Sequence, residues 1–465
     1  MVKAIDVHAH VFNLHYLPVA GILDGSAFAD LPPWLARALA ALALGATAKD
    51  PALDPDAPPQ ALLDGTLAGE IEELRARLED FDSHIEAIEA AIPEGVWDDP
   101  DVQEALARVE AMEGVAEAIG GRRLRRLIRA ARRWMGTASR RIDWVFAVAT
   151  ARERAIVGLL LRTYGDDVEL FVHHMMDMKN HYRGGRTTYE FAPRQVARME
   201  RLSAMSGGRL ATFVAWDPFR ADSLDIVRDA ITNHGCIGVK VYPPSGYRPW
   251  CNVEDPDRSP PRHVPAPSPE LLDQRALDLF RWCAAPDRDL PVFTHCTPLG
   301  FQAYRGAGAN GSPSYWRRLL EDNPDLKNLR LCFGHAGGDG WFASSDAGWD
   351  GSFAAQVAEL CSDPGYPNLY CEVGILSEVS DPAARRRFAE RLRAIDPGNG
   401  QLLTRLLYGS DWHMLYMEAG HEHFFHDYVA LCDEAGFSAS RKADFFRNNA
   451  VRYLKLGDAW LRQPA

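Results

Sequence analysis

Residues 4–10 read Ala-Ile-Asp-Val-His-Ala-His, an apolar and β-branched run with polar side chains set into it. Such a run reads as a strand, and on a strand residues i and i+2 point to one face, so His8 and His10 project together. Two neutral imidazoles at that spacing suit a borderline-soft divalent cation. A histidine pair alone is equally well a structural feature; its weight comes from its place on the strand that opens the chain.

Working outward, further short β-branched runs bounded by turn residues recur at Val168–His174, Leu210–Trp216, Ile237–Tyr242, Pro291–His295, Leu329–His335, Leu369–Gly374 and Leu406–Asp411. With Ala4–His10 they make eight, and helical stretches such as Ser223–His234, Pro269–Ala284 and Asp381–Ile395 lie between most of them. Alternating strand and helix implies parallel strands joined by crossovers. Eight units predict an α/β chain folded as a (β/α)8 TIM barrel rather than an open doubly wound sheet, because no Gly-rich phosphate turn follows the first strand.

Single polar residues then end the later strands: His295 in PVFTHC, His335 in LCFGHAGG and Asp411 in LLYGSDWH. Each alone is more simply a satisfied polar residue. Together, at the carboxyl ends where barrel active sites are built, they point to one site with His8 and His10.

With these residues in place the chain resembles the amidohydrolase superfamily, in particular the branch with carboxymuconate-semialdehyde and resorcylate decarboxylases. The resemblance runs from IDVHAH to SDWH and the closing FFRNNAVRYL. It implies metal ligands at His8, His10, His295, His335 and Asp411. Lys240, in GVKVYPPSG, stands where two-metal members such as dihydroorotase carry a carboxylated lysine. The resemblance implies Zn2+, one or two per chain, with Mn2+ or Fe2+ as other candidates. It further implies Asp411 and His335 as the proton-transferring catalytic residues. On this reading the chain is a hydrolase of amides, cyclic amides, lactones or esters. With one metal, His335 is freed for proton transfer, and the activity is a decarboxylase or hydratase acting on an aromatic or dienoic acid. A barrel that has lost catalysis and works as a binding protein is the third alternative. Substrate contacts are expected after the strands, from Tyr242, Arg248, Trp250, Arg305, Trp412 and His413, with His174 and Asp217 as pocket candidates. Glu372 reads either as a pocket residue or as a buried partner of a ligand histidine.

The first crossover is abnormal: more than 150 residues separate the first two strands. The expected division is 1–29 for the first strand and loop, 30–165 for an α-helical insertion, and 166–465 for the rest of the barrel. Within the insertion Ile71, Leu74, Leu78, Phe81, Ile85, Ile88 and Ile92 form an apolar stripe, predicted to pack on a helix through Val102, Leu106 and Val109. The stripe needs cover from its own helices, the barrel or a second subunit, so a homo-oligomer through the insertion is open. Pro33–Leu44 is expected as a helix near the site's mouth, with Pro33 in its first turn. Arg122–Arg141 holds nine arginines, read as a solvated face neutralised by Glu70–Glu89 rather than as an anion-binding helix.

A net charge of −13 argues against nucleic acid as a bulk partner. No run approaches the roughly 20 apolar residues of a membrane span. Eight singly scattered cysteines and no signal-peptide core fit reduced thiols and a cytoplasmic enzyme with a small-molecule substrate.

Overall fold

In the computed structural model, which describes residues 3–23, 28, 30–54, 57, 65–112, 123–136, 140–178, 191–254, 267–395, 400–418 and 421–457, eight strands form one sheet. They are β1 (Ala4–Ala9), β2 (Val168–His174), β3 (Leu210–Trp216), β4 (Gly238–Val241), β5 (Val292–Thr294), β6 (Leu331–Phe333), β7 (Leu369–Glu372) and β8 (Leu406–Leu407). All pairings are parallel and follow chain order. The seam between β8 and β1 is bridged where Val7 N donates to Tyr408 O at 3.1 Å and Asp411 N to His8 O at 2.6 Å. The fold is the expected (β/α)8 barrel.

Several strands end earlier than their apolar runs. β6 stops at Phe333 and β8 at Leu407, so His335 and Asp411 stand beyond their strands rather than closing them. Both have left-handed backbones, φ 57° and φ 52°, which no ladder can continue.

Ile5, Val7, Leu170, Val172, Phe213 and Phe293 fill the barrel interior. The C-terminal helix Asn449–Leu454 plugs the end opposite the site, with Tyr453 Oη donating to Val292 O at 2.9 Å. Since Ile5 and Val7 face inward, strict alternation would turn His8 outward. The β1–β2 register slips between Asp6 and Ala9, where three steps on β1 span two on β2. That bulge re-aims His8 and His10 into the mouth.

Between β1 and β2 lie α1 (Pro33–Ala46), α2 (Gly65–Glu79), α3 (Phe81–Ala91), α4 (Pro100–Met112), α5 (Arg123–Met135), α6 (Arg140–Ala147) and α7 (Glu153–Tyr164). The apolar stripe spans two helices, because Asp80 caps α3 by accepting from Ser83 N at 3.3 Å. Ile71, Leu74, Phe81, Ile85, Ile88 and Ile92 are buried and Leu78 half-buried. The partners differ from expectation: α2 packs on α7 and α3 on α5, while α4 packs on α1 and α5. Pro33 does begin α1, which packs on α4 and on the Leu14–Tyr16 turn that leads into Leu17 of the cleft lining.

The arginine-rich helix is only partly solvated. α5 buries Leu124, Leu127, Ile128 and Ala131, and Arg132 bridges Asp82 at 2.8 Å and Asp143 at 2.7 Å. A buried ion pair between Arg154 and Asp50 at 2.9 Å ties the insertion to itself, and Arg198, after β2, fastens it to the barrel by meeting Glu153 at 2.8 Å and donating to Tyr16 Oη at 2.9 Å. Among the described residues no helix is long and apolar enough to cross a membrane.

Candidate metal centre

The strand ends bring His8, His10, Lys240, His295, His335 and Asp411 to one cleft of about 370 Å3. His8, His335 and Asp411 each turn a ligand atom to within 4.8 Å of the others. Asp411 Oδ1 stands 3.4 Å from His10 Nε2 and 3.7 Å from His8 Nε2. Lys240 Nζ is 3.4 Å from His8 Nε2 and 4.2 Å from the Phe293 ring centre.

Each imidazole is fixed by what its second nitrogen touches. His8 Nδ1 donates to Glu372 Oε1 at 2.9 Å, His10 Nδ1 to His174 O at 2.8 Å and His335 Nδ1 to Gly374 O at 2.9 Å. His295 donates from Nε2 to Leu299 O at 3.0 Å. Carbonyl and carboxylate oxygens only accept, so these nitrogens carry the protons and the opposite ones carry lone pairs. His335 Nε2 and His295 Nδ1 therefore face each other lone pair to lone pair at 3.0 Å. Burial first, and Lys240 after it, hold His8 and His10 well below the usual histidine range; burial takes His335 to about 3.

Asp411 Oδ1 is buried without a hydrogen-bond partner, and burial raises the carboxyl well above its usual range, Lys240 opposing. Lys240 Nζ aside, a buried carboxylate oxygen ringed by imidazole lone pairs is a set of acceptors. Cations answer that arrangement, and 3.0 Å suits two nitrogens sharing one ion about 2 Å from each. The donor set fits a divalent metal.

Supporting groups hold this geometry. Asp6 accepts from His8 N at 3.0 Å, Ser410 N at 3.0 Å and Ser410 Oγ at 2.5 Å, bracing the neighbours of both first- and last-strand ligands. Burial lifts the Asp6 carboxyl to about 7. Gly409 is required by proximity, because a Cβ there would stand 2.4 Å from Glu372 Oε2. Burial lowers Lys240 to about 8 against the pull of Asp411 and Glu372.

The expected substrate contacts divide. Tyr242 lines the cleft, its hydroxyl donating to Phe301 O at 2.9 Å. Arg248, Arg305, Trp412 and His413 are not among the described residues that line it. Arg248 lies over the Tyr315 ring at 4.6 Å, Arg305 is exposed, and Trp412 is packed at 5.0 Å from Tyr416. His413 accepts from Trp144 Nε1 at 3.1 Å, donates to Phe12 O at 3.0 Å and stacks on Phe12 at 4.5 Å. Trp250 Nε1 binds Asp322 at 2.8 Å, and Asp217 caps its own loop by accepting from Phe219 N at 3.0 Å. His174 stacks on His8 at 4.6 Å. Arg141, from α6, and Met176, Met178, Met414 and Met417 line the cleft, unforeseen from sequence. Their only signal was proximity in sequence to strand ends or to the arginine run.

A family model described as amidohydrolase matches residues 163–456, a span that holds Lys240, His295, His335 and Asp411 but not His8 or His10. None of the curated proteins matches the sequence. Among solved structures, the chain is similar to a probable 2-pyrone-4,6-dicarboxylic acid hydrolase from Acinetobacter baumannii with citric acid bound. The identity is 13%, covering 64% of this chain and 88% of that one, with a TM-score of 0.40. A zinc-bound amidohydrolase from Burkholderia multivorans is 15% identical over 64% of this chain and 87% of that one, with a TM-score of 0.41. A 2,6-dihydroxybenzoate decarboxylase in complex with 2,6-dihydroxybenzoate is 14% identical over 64% and 87%, with a TM-score of 0.40.

Proposed function

The chain belongs to the amidohydrolase family, and from that premise we propose that it is a metal-dependent hydrolase of an amide, cyclic amide, lactone or ester. The observation that carries the reading is the 3.0 Å approach of the two lone-pair nitrogens of His295 and His335, beside His8 and Asp411, whose ligand atoms lie within 4.8 Å of that of His335. On this reading His295 and His335 are one set and hold one divalent ion, and His8, His10 and Asp411 are the other and hold a second. Zn2+ suits the imidazole-rich set, as Mn2+ and Fe2+ do less closely.

Lys240 lies between the sets, within electrostatic reach of His8, His10, His295, His335 and Asp411. If its neutral amine added carbon dioxide, forming the N–C bond, opening one C=O π bond and releasing one proton, the resulting carbamate would offer two oxygens to the cations that these residues would hold. Bound divalent cations supply Lewis acidity and lower the pKa of water to roughly 7. Asp411 takes the proton of the attacking water and returns it to the leaving group, base first and acid afterwards. His8, His10, His295 and His335 stay neutral and keep fixed tautomers, so their free nitrogens would hold the cations. Tyr242 orients the substrate at the cleft wall.

Metal counting by plasma emission on the purified protein, alongside a panel of amides, lactones and esters, tests the reading. Two ions per chain with turnover on the panel are expected. One ion beside an unmodified Lys240, whose Nζ already stands 3.4 Å from His8 Nε2, gives the mononuclear decarboxylase or hydratase instead. No retained metal sinks both.

A further inference from the structure

Two cationic side chains line the cleft at different depths. Lys240 is buried among the histidines, whereas Arg141, half-buried, comes from the insertion. Arg141 is the one guanidinium among the described residues that line the cleft. It sits on α6, a helix held from three sides. Ile142, Val145 and Phe146 are buried, Asp143 meets Arg132 at 2.7 Å, and Trp144 Nε1 donates to His413 at 3.1 Å. Apolar side chains share the lining with the two cations, among them Phe12 and Leu17 after β1 and Met414 and Met417 after β8. Asp339, Glu378 and Glu418 also line the cleft, so it offers an anion few stations and repels one elsewhere.

We propose that Arg141 is a specificity-determining residue, which binds an anionic group of the substrate joined by an apolar spacer to the reacting carbonyl at the histidines. The substrate class is thus a hydrophobic amide, lactone or ester that carries a carboxylate or similar anion away from the scissile bond. This rests on the hydrolase reading of the same cleft. A planar guanidinium presented from a braced helix pairs with a carboxylate through two parallel N–H donors, which a point-charge ammonium does not reproduce. The insertion then sets substrate choice, while the barrel supplies the chemistry.

The test is calorimetric binding of ω-phenylalkanoates from benzoate to 6-phenylhexanoate, against their primary amides and the matching ω-phenylalkylamines, to the metal-loaded full chain. Wild type should bind at least one acid about tenfold more tightly than its amide, in line with a charge-assisted hydrogen bond. Arg141→Gln should abolish that preference, and Arg141→Lys should keep part of it. Metal content and thermal stability should be unchanged in both variants. Overturning results are a wild type with no preference for the acids, including no binding of any probe, a preference for the amines, or an Arg141→Gln chain that still prefers the acids. Absence of retained metal marks failure of the hydrolase reading instead, and is read from emission rather than from the titrations.

Discussion

Glu372, at the end of β7, accepts the Nδ1 proton of His8 at 2.9 Å, although 364 residues separate the two in the chain. The same Oε1 accepts the backbone N–H of His335 at 2.8 Å, and Oε2 accepts that of Gly374. One carboxylate thereby sets the tautomer of one ligand and the position of another. A glutamine offers one acceptor and one donor, so it leaves a buried N–H facing an NH2 group. Glu372→Gln should therefore fold but hold metal about 10–100-fold more weakly, as measured by competition with a chelator. Unchanged affinity would remove Glu372 from the account.

Lys240→Ala removes both the amine and any carbamate built on it. The purified variant should carry less metal than wild type, counted by emission, and lose hydrolytic turnover. Acetate or propionate with added metal should restore a measurable part of both, because a short carboxylate fills the space and supplies two oxygens. Full metal content in the variant would argue that Lys240 remains a free amine.

Much of this centre was legible from strand periodicity. His8 and His10 share a face, and His295, His335 and Asp411 follow strands of recognisable composition. Glu372 was readable too, as one of two alternatives. The bulge between Asp6 and Ala9 was not, since only its register against β2 reveals that alternation is broken. Nor was the partition of the arginine run: Arg132 joins two aspartates while Arg141 reaches the cleft, a division made by helix packing across distant segments. His413 and Trp412 looked like pocket residues because they follow Asp411 directly. The short helix Trp412–Leu415 turns His413 into the packing against the insertion and the β1 loop and Trp412 against Tyr416.

Stability should depend steeply on pH in the metal-stripped protein. His8, His10, His15, His173, His174, His295, His335 and His413 are buried, and burial holds each below its usual range, to about 3 for His173, His335 and His413 and about 4 for His15. Between those values and about 6.5 the unfolded chain binds more protons than the folded one, so stability rises with pH and is lost on acidification. Asp6 and Glu372, raised by burial to about 7, with Asp411 and Glu153, which burial also raises, act in the opposite sense, losing stability as pH rises above their unfolded values. The histidines outnumber them. Thermal unfolding after chelation should thus fall in midpoint from pH 7 to pH 5; an equal or higher midpoint at pH 5 contradicts the neutral-histidine assignment.

The insertion supplies the remaining test, because its core is separate from the metal centre. Ile85 is 1% exposed on α3, in the face that packs on α5, and Leu78 is half-buried near the end of α2. An aspartate at position 85 places an unpaired carboxylate among apolar side chains, which costs about 3 kcal/mol or more. The Leu78→Asp, Ile85→Asp double variant should lower the thermal midpoint and helicity measured by circular dichroism. Should it also change the size seen by light scattering, a second subunit covers part of the stripe; unaltered size assigns the cover to α5 and α7 alone. The metal ligands hang on strands and on loops braced by Asp6 and Glu372, so emission should still find metal bound. Because α6 carries Arg141 and is tied to α5 through Arg132 and Asp143, the same variant should also weaken the preference for anionic ligands. A variant with unchanged helicity and midpoint shows that the stripe is not buried, and with it falls the idea that this arm holds Arg141 in place.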